Sequence, residues 1–527
     1  MNTRILLVLL FCLVITADTF SQAARRRLPS SVNHPAINNF APYVSLDGDA
    51  LVFVCDNADD YALTPFFSYR TPRSDWRAPM VLPNTIHTRL SYLWGYTLSP
   101  DGRTLYFSTI KSPGVGGYDL WMSERSGSSW GTPKNMAAPL NTRAHEASAT
   151  FTPDQKTVYF MRCEAMSQRE ASGCVIMKAE KQANGRWSEP VALPPSINTG
   201  NAQAPRILAD GETLIFSSDR PGGKGGMDLY VTRFRNGSWS DPVPMSFANT
   251  PEDDQYVSVN ATGRYLLRDA PGERRREMAE FLIPDHLRPK GLMRVEGTID
   301  GNRAAYVSVH DLANGKRIFN GRPDGQGFVK VYLMEGSAYE LSIDPEQDRF
   351  MYYSQRFDLT GDSLEQVVRI TPRIALPAAG EELQLDLIEF DENTAGITPT
   401  SASELKRVAR LIRGNPDRDF TIKVVMTGYK EDTVRSSPDL TEVRYDSTWT
   451  TVEVVDSASY LADDSVIQAR DTLIVRQHFH NDRTRQQAEA VADHLEREGV
   501  PASRLDIEVL ALPAEEKKVR VFLAVKR

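Results

Sequence analysis

Short runs of alternating apolar and polar residues dominate the first 290 positions, and a turn closes each run. In residues 207–230, ILADGETLIFSSDRPGGKGGMDLY, Asp210-Gly211 is a hairpin turn signal, because glycine takes the positive φ such turns need. The β-rich runs 213–216 and 227–232 read as strands on either side of a glycine-rich turn. The pattern occurs earlier as Ser99-Pro100-Asp101-Gly102, then Leu105-Tyr106-Phe107-Ser108, then Gly116-Gly117-Tyr118-Asp119-Leu120. Two markers set the period. First-turn residues fall at Asp47, Asp101, Asp154, Asp210 and Thr262, at steps of 54, 53, 56 and 52. Trp-x-x-Pro begins at Trp76, Trp130, Trp187 and Trp239, which takes four of the seven tryptophans. Each unit is long enough for four short strands. One such sheet cannot bury both faces, whereas several in a ring can. Residues 34–289 are therefore expected to form a β-propeller of five blades, with six as the alternative. The fifth unit lacks the glycine-rich turn and the Trp-x-x-Pro, which an N-terminal strand completing the last blade would explain.

The texture changes at Pro289. Over residues 290–375, alternating runs at 295–299, 305–309, 325–331 and 339–343 are separated by Asp300-Gly301 and Asn314-Gly315, the spacing of a small β-sandwich. From 376 to 527 the periods mix. Leu405, Val408, Ala409, Leu411 and Ile412 mark one face of a helix that ends at Asn415-Pro416. Ala488, Val491, Ala492 and Leu495 mark a second helix over about 482–498, ended by Gly499. Strands are expected at 385–390, 420–426, 505–510 and 518–525. The insertion at about 433–479 carries two further runs, 449–455 and 472–477, and reads as a long hairpin. The fold class is thus multidomain: an all-β propeller, a small sandwich, then an α/β domain.

Charge and composition narrow the function. A formal charge of −8 gives no basic footprint, so nucleic acid is not an expected partner. Residues 1–21 read as a secretory signal, with Arg4, an apolar run at 5–15 and the small-residue site Thr19-Phe20-Ser21. No other stretch approaches the ~20 apolar residues of a membrane span. Export permits disulfides. Cys163 and Cys174 flank one polar insertion and are candidates to close it, which leaves Cys55 as a buried small residue. Cys12 raises lipidation, but Phe11 before it fits poorly. No metal-ligand spacing is present, and no cofactor is expected.

Three motifs match active sites by letter alone. Residues 222–226, GGKGG, lack the helix a phosphate loop needs. Residues 127–131, GSSWG, precede a repeat tryptophan in a hairpin instead of forming a strand-to-helix elbow. His478 and His480 share a strand face without a third ligand. Asp219 and Asp228 are read as turn residues, with the propeller mouth as the alternative place for them. No enzyme is expected.

The strings SPDGRTLYFS and SSDRPGGKGGMDLY resemble the TolB-like, WD-repeat-related propeller repeats of exported bacterial proteins. The middle segment is similar to the carboxypeptidase regulatory-like domain. Ile388-Glu389-Phe390-Asp391, the helix leading to Asn415-Pro416, the stretch Ala488-Glu489-Ala490-Val491 and the closing Val519-Arg520-Val521 resemble the OmpA-like peptidoglycan-binding domain. The order of domains resembles that of the peptidoglycan-tethering accessory subunit of type IX secretion systems, without the tetratricopeptide segment often found there. The OmpA-like resemblance implies an aspartate and an arginine that hold the diaminopimelate of the wall peptide. The chemistry suits a zwitterion, since an anion meets the ammonium and a guanidinium fork meets the carboxylate. Here Tyr429-Lys430-Glu431 replaces the family's His-Thr-Asp, so Glu431 or Asp432 is the implied anion. Gln487 stands where the arginine is expected, with Arg485 two residues away. The reading that follows is a periplasmic scaffold, associated with the outer membrane or cell wall. It docks an envelope protein on its propeller and tethers it to peptidoglycan. The alternative is a carbohydrate- or peptide-binding receptor with its ligand in the propeller mouth.

Overall fold

The computed structural model describes residues 25–56, 63–71, 76–361, 364–391, 394–427, 443–455, 467–479, 483–512, 516 and 518–526. The signal segment, Cys12, Glu431, Asp432 and His480 lie outside these residues. The chain divides into two compact units. One holds residues 1–295 with 332–336 and 361–368; the other holds 296–331, 337–360 and 369–527.

The first unit is a propeller of five antiparallel blades. Blade one runs Asn39–Val44, Ala50–Asp56, Leu63–Tyr69 and Met80–Val81. Blade two starts at Thr97–Leu98, blade three at His145–Phe151, blade four at Ala202–Ile207 and blade five at Ser258–Val259. Blade five continues through Tyr265–Pro271 and Arg276–Leu282 and is completed by Arg25–Arg27, which pairs antiparallel with Arg276–Leu282. The propeller thus includes residues 25–27, ahead of the expected 34. Three consecutive arginines carry no apolar alternation. An outermost strand needs none here, because Arg25 and Arg27 pair with Glu277 at 2.6 and 2.7 Å and Arg26 pairs with Glu280 at 2.5 Å.

Five apolar clusters join the blades in sequence and close the ring. Phe67 and Phe107 lie between blades one and two, Phe151 and Phe160 with Leu120 between two and three, and Tyr159 with Phe216 between three and four. Leu229 and Val231 meet Leu266 between four and five, and Leu51 and Phe53 meet Leu267 and Met278 between five and one. Each repeat tryptophan sits in the cluster joining its blade to the one before. Trp130 meets Phe67 edge-on at 5.0 Å, and Trp239 meets Tyr159 at 5.9 Å. The turn aspartates have a fixed task. Ser99 Oγ donates to Asp101 at 2.7 Å, and the Arg103 amide donates to the same oxygen at 3.1 Å. Asp228 accepts from the amides of Lys224 and Gly225 at 2.6 and 3.2 Å. A Cβ on Gly223 would stand 1.9 Å from that carboxylate, so close approach requires a glycine there.

In the second unit, Lys316–Gly321, Ala305–Asp311, Ala338–Pro345 and Tyr353–Asp358 form a four-stranded antiparallel sheet. The C-terminal sheet has the order Glu382–Gln384, Lys518–Val525, Phe420–Thr427, Leu505–Leu512, with only the last pair parallel. Helices α1 (Ala402–Gly414) and α2 (Thr484–Arg497) bury the predicted faces against it, through Leu405, Val408 and Ile412 and through Ala488, Val491 and Leu495. The first strand departs from expectation. It is Glu382–Gln384, while in 385–390 only Phe390 makes an isolated bridge, to Ile397. Leu385 and Ile388 still bury, which is the apolar signal that suggested a strand there. The insertion forms a two-stranded ribbon, Val443–Val455 with Ile467–Phe479. No helix among the described residues is long and apolar enough to cross a membrane.

Candidate functional site

The propeller axis is covered. Ala41, Tyr92, Ala147, Ala204 and Tyr256, from all five blades, form one buried cluster. Four inner-strand residues at the repeat period, Ala41, Ser148, Ala204 and Tyr256, adopt positive φ. The equivalent position in blade two, Gly95, does not. Beta-bulges or register shifts mark the inner strands of blades one, three and four, and they re-aim the side chains toward the axis. Over this cluster lies the hairpin closed by the Cys163–Cys174 disulfide. Its Met166 and Ala171 pack on the cluster. Leu93 donates to the Gln168 carbonyl at 3.0 Å, Trp94 Nε1 donates to that of Arg169 at 2.8 Å, and Gln203 Nε2 donates to that of Ala171 at 2.7 Å. Beneath it Arg206 is 3% exposed, donates to the carbonyls of Val257 and Pro205, and lies 5.0 Å from the Tyr43 ring. Burial lowers its pKa. A ligand in the mouth would have to take the place this hairpin occupies. Cys55 is a free thiol beside Asn39, pushed up to about 12 by burial and by Asp56.

The second unit carries an open groove of about 990 Å³. Four elements build it. Segment 385–391 gives Asp386, Glu389 and Asp391, the start of α2 gives Arg483 and Gln487, the last strand gives Lys518 and Arg520, and the sandwich strand Tyr353–Asp358 gives Arg356 and Asp358. Four cations face four carboxylates, which is a surface suited to a zwitterion. Glu389 pairs with Arg356. The Thr360 hydroxyl and amide hold the Asp358 carboxyl below its usual range.

Gln487 is 8% exposed, and its Nε2 donates to the Thr394 carbonyl at 3.4 Å. That bond turns Oε1 the other way, and Oε1 has no hydrogen-bond partner among the described residues. Of the residues picked from sequence, Gln487 lines the groove. Arg485 is exposed and not part of the lining. The guanidinium that the start of α2 brings to the groove is that of Arg483, one turn ahead of Gln487. The i, i+4 spacing puts these two on one side of α2, and it was the signal that could have found Arg483. Arg356, Asp358 and Arg520 were not selected from sequence, because nothing local places them beside α2. Among the described residues no group of three or more His, Cys, Asp or Glu side chains is arranged to hold a metal ion.

One buried cluster fixes the sandwich wall of this groove. Glu404 of α1 is fully buried and accepts from Tyr352 and Ser354 hydroxyls at 2.9 and 2.8 Å. Arg407 lies 3.3 Å from it, pairs with Glu340, and meets Asp344 at 2.9 Å. Burial pushes Glu404 up to about 7, against the pull of Arg407 and the two hydroxyls.

No family model matches this chain, and no curated protein matches it. Solved structures similar to it include TolB proteins. That of Agrobacterium tumefaciens is 15% identical, with 56% of this chain and 90% of that chain covered and a TM-score of 0.29. That of Acinetobacter baumannii is 14% identical, with 47% and 54% covered and a TM-score of 0.30. The endo-arabinase of Bacteroides thetaiotaomicron is 15% identical, with 49% and 97% covered and a TM-score of 0.35. At these values the likeness carries no argument about activity.

Proposed function

We propose that this protein is a non-enzymatic scaffold of the bacterial envelope, exported to the periplasm, which docks a partner protein on its propeller and holds peptidoglycan in the groove of its second unit. The observation that carries the reading is that Arg483 and Gln487 line one groove together with Asp386 and Asp391. It lies at the start of α2, where the OmpA-like resemblance implies a wall-peptide site. An ammonium of the peptide meets Asp386 or Asp391, and its own carboxylate meets Arg483. The domain order makes a place in type IX secretion the finer form of this proposal. The covered axis supports docking on the propeller's surface over capture of a ligand in its mouth.

The test is cosedimentation of the full mature chain with diaminopimelate-containing sacculi. Wild-type protein is expected to pellet, and Arg483→Ala to lose most of that pelleting while keeping its melting temperature. Arg485→Ala, outside the groove, is expected to pellet as wild type. Absence of wild-type pelleting overturns the tether.

A further inference from the structure

The groove has two walls, and only one comes from the C-terminal domain. The other is the strand Tyr353–Asp358 of the sandwich, which contributes Arg356 and Asp358 to the lining. Period-two alternation places Ser354, Arg356 and Asp358 on one face of that strand. Ser354 is fixed to Glu404 of α1 at 2.8 Å, and Tyr352 beside it at 2.9 Å, so the strand is anchored to α1 immediately before the residues that line the groove. Further along, Arg356 pairs with Glu389 of the groove floor. That carboxylate occupies part of a fork with five donors. The groove is also large for one amino acid: about 990 Å³ is at the upper end of ordinary ligand sites.

We infer that the sandwich strand is a binding element, and that the groove takes an extended zwitterionic peptide, read at one end by Arg483 and Gln487 and at the other by Arg356 and Asp358. This rests on the wall-binding reading above and deepens it. A carboxylate of the distal peptide competes with Glu389 for Arg356, while Asp358 accepts a backbone or amino N–H. The sandwich then sets the length of peptide held.

Calorimetry on the full mature chain tests this with two probes, free diaminopimelic acid and a wall tetrapeptide that contains it. In the Arg356→Gln/Asp358→Asn double variant, tetrapeptide affinity is expected to fall about tenfold or more, the loss of a charge-assisted contact. Its affinity for free diaminopimelic acid is expected to stay within about twofold, since that probe reaches one end only. Glu389→Gln, which frees the Arg356 fork, is expected to hold or raise tetrapeptide affinity. Unchanged tetrapeptide affinity in the double variant, with loss in Arg483→Ala, overturns the second wall and leaves wall binding standing. Equal loss for both probes also overturns it, because the strand would then act on the whole groove and not on one end. No binding of either probe or of sacculi by wild type overturns both readings.

Discussion

At the scale of single residues, burial decides which charges this protein keeps. Glu404 shares one pocket with Glu340, Asp344, Arg407, Tyr352 and Ser354, and Arg410 meets Asp344 from outside at 3.2 Å. Two guanidiniums stand against three carboxyls, and burial pushes the pKa of Glu404 up to about 7. The folded state therefore keeps this proton at pH values where the unfolded chain has lost it. Stability from the group is fully present below the ordinary carboxyl range and is lost as pH rises through about 7. From the size of that shift, the loss between pH 5 and 8 is roughly 2–3 kcal/mol. Glu404→Gln keeps the shape and removes the titration. Urea midpoints of wild type and variant are expected to diverge in favour of the variant as pH rises, and parallel pH profiles would refute a neutral Glu404. None of this was legible in the sequence. Glu404 reads there as an ordinary acidic residue in the first turn of a helix, and its environment is set by a strand 50 residues earlier.

At the scale of elements, the sequence was informative wherever a residue type recurs for a local reason. The turn aspartates and the Trp-x-x-Pro tryptophans do the same work in successive blades, so their spacing made five blades the favoured count. It was uninformative where an element is stabilised by a distant one. Arg25–Arg27 becomes a strand because Glu277 and Glu280 lie opposite, about 250 residues away. Exposed ion pairs contribute little singly, about 0.2–1 kcal/mol each. Here they register a strand that also covers the otherwise open edge of Arg276–Leu282. Arg26→Glu with Arg27→Glu is expected to lower the urea midpoint and to cause association through the uncovered edge, seen by light scattering. Adding Glu277→Arg and Glu280→Arg is expected to recover much of both losses. Failure of the reversed pair to restore them would mean that the strand is held by its backbone ladder alone.

At the scale of the whole chain, three domains are visible in the sequence, but cooperative structure follows different boundaries. The texture change near residue 376 suggests a separable last domain, with the sandwich as a spacer. The packing joins them. Met351 and Tyr352, from the sandwich side of that boundary, belong to the same core cluster as Leu405, Phe420 and Leu495. Arg407 of α1 has Glu340 and Asp344 of the sandwich as partners and is 6% exposed. Cutting at 376 removes those partners and uncovers Glu404 and the apolar face around it. Each large apolar side chain that the cut uncovers costs about 1.5–3 kcal/mol, a large share of the stability of a small domain. Residues 376–527 alone are thus expected to melt well below the same residues in the full chain, or to bind a hydrophobic dye as a loosely packed state. Hydrogen exchange at Phe420–Thr427 is the direct comparison. Equal protection in fragment and full chain would show the last domain to be autonomous. The sandwich would then be only its neighbour, docked on it through Glu404, Arg407 and the Arg356 to Glu389 pair. Faster exchange in the fragment would locate the unit of folding across the sandwich and the C-terminal sheet together, the same two elements that line the groove.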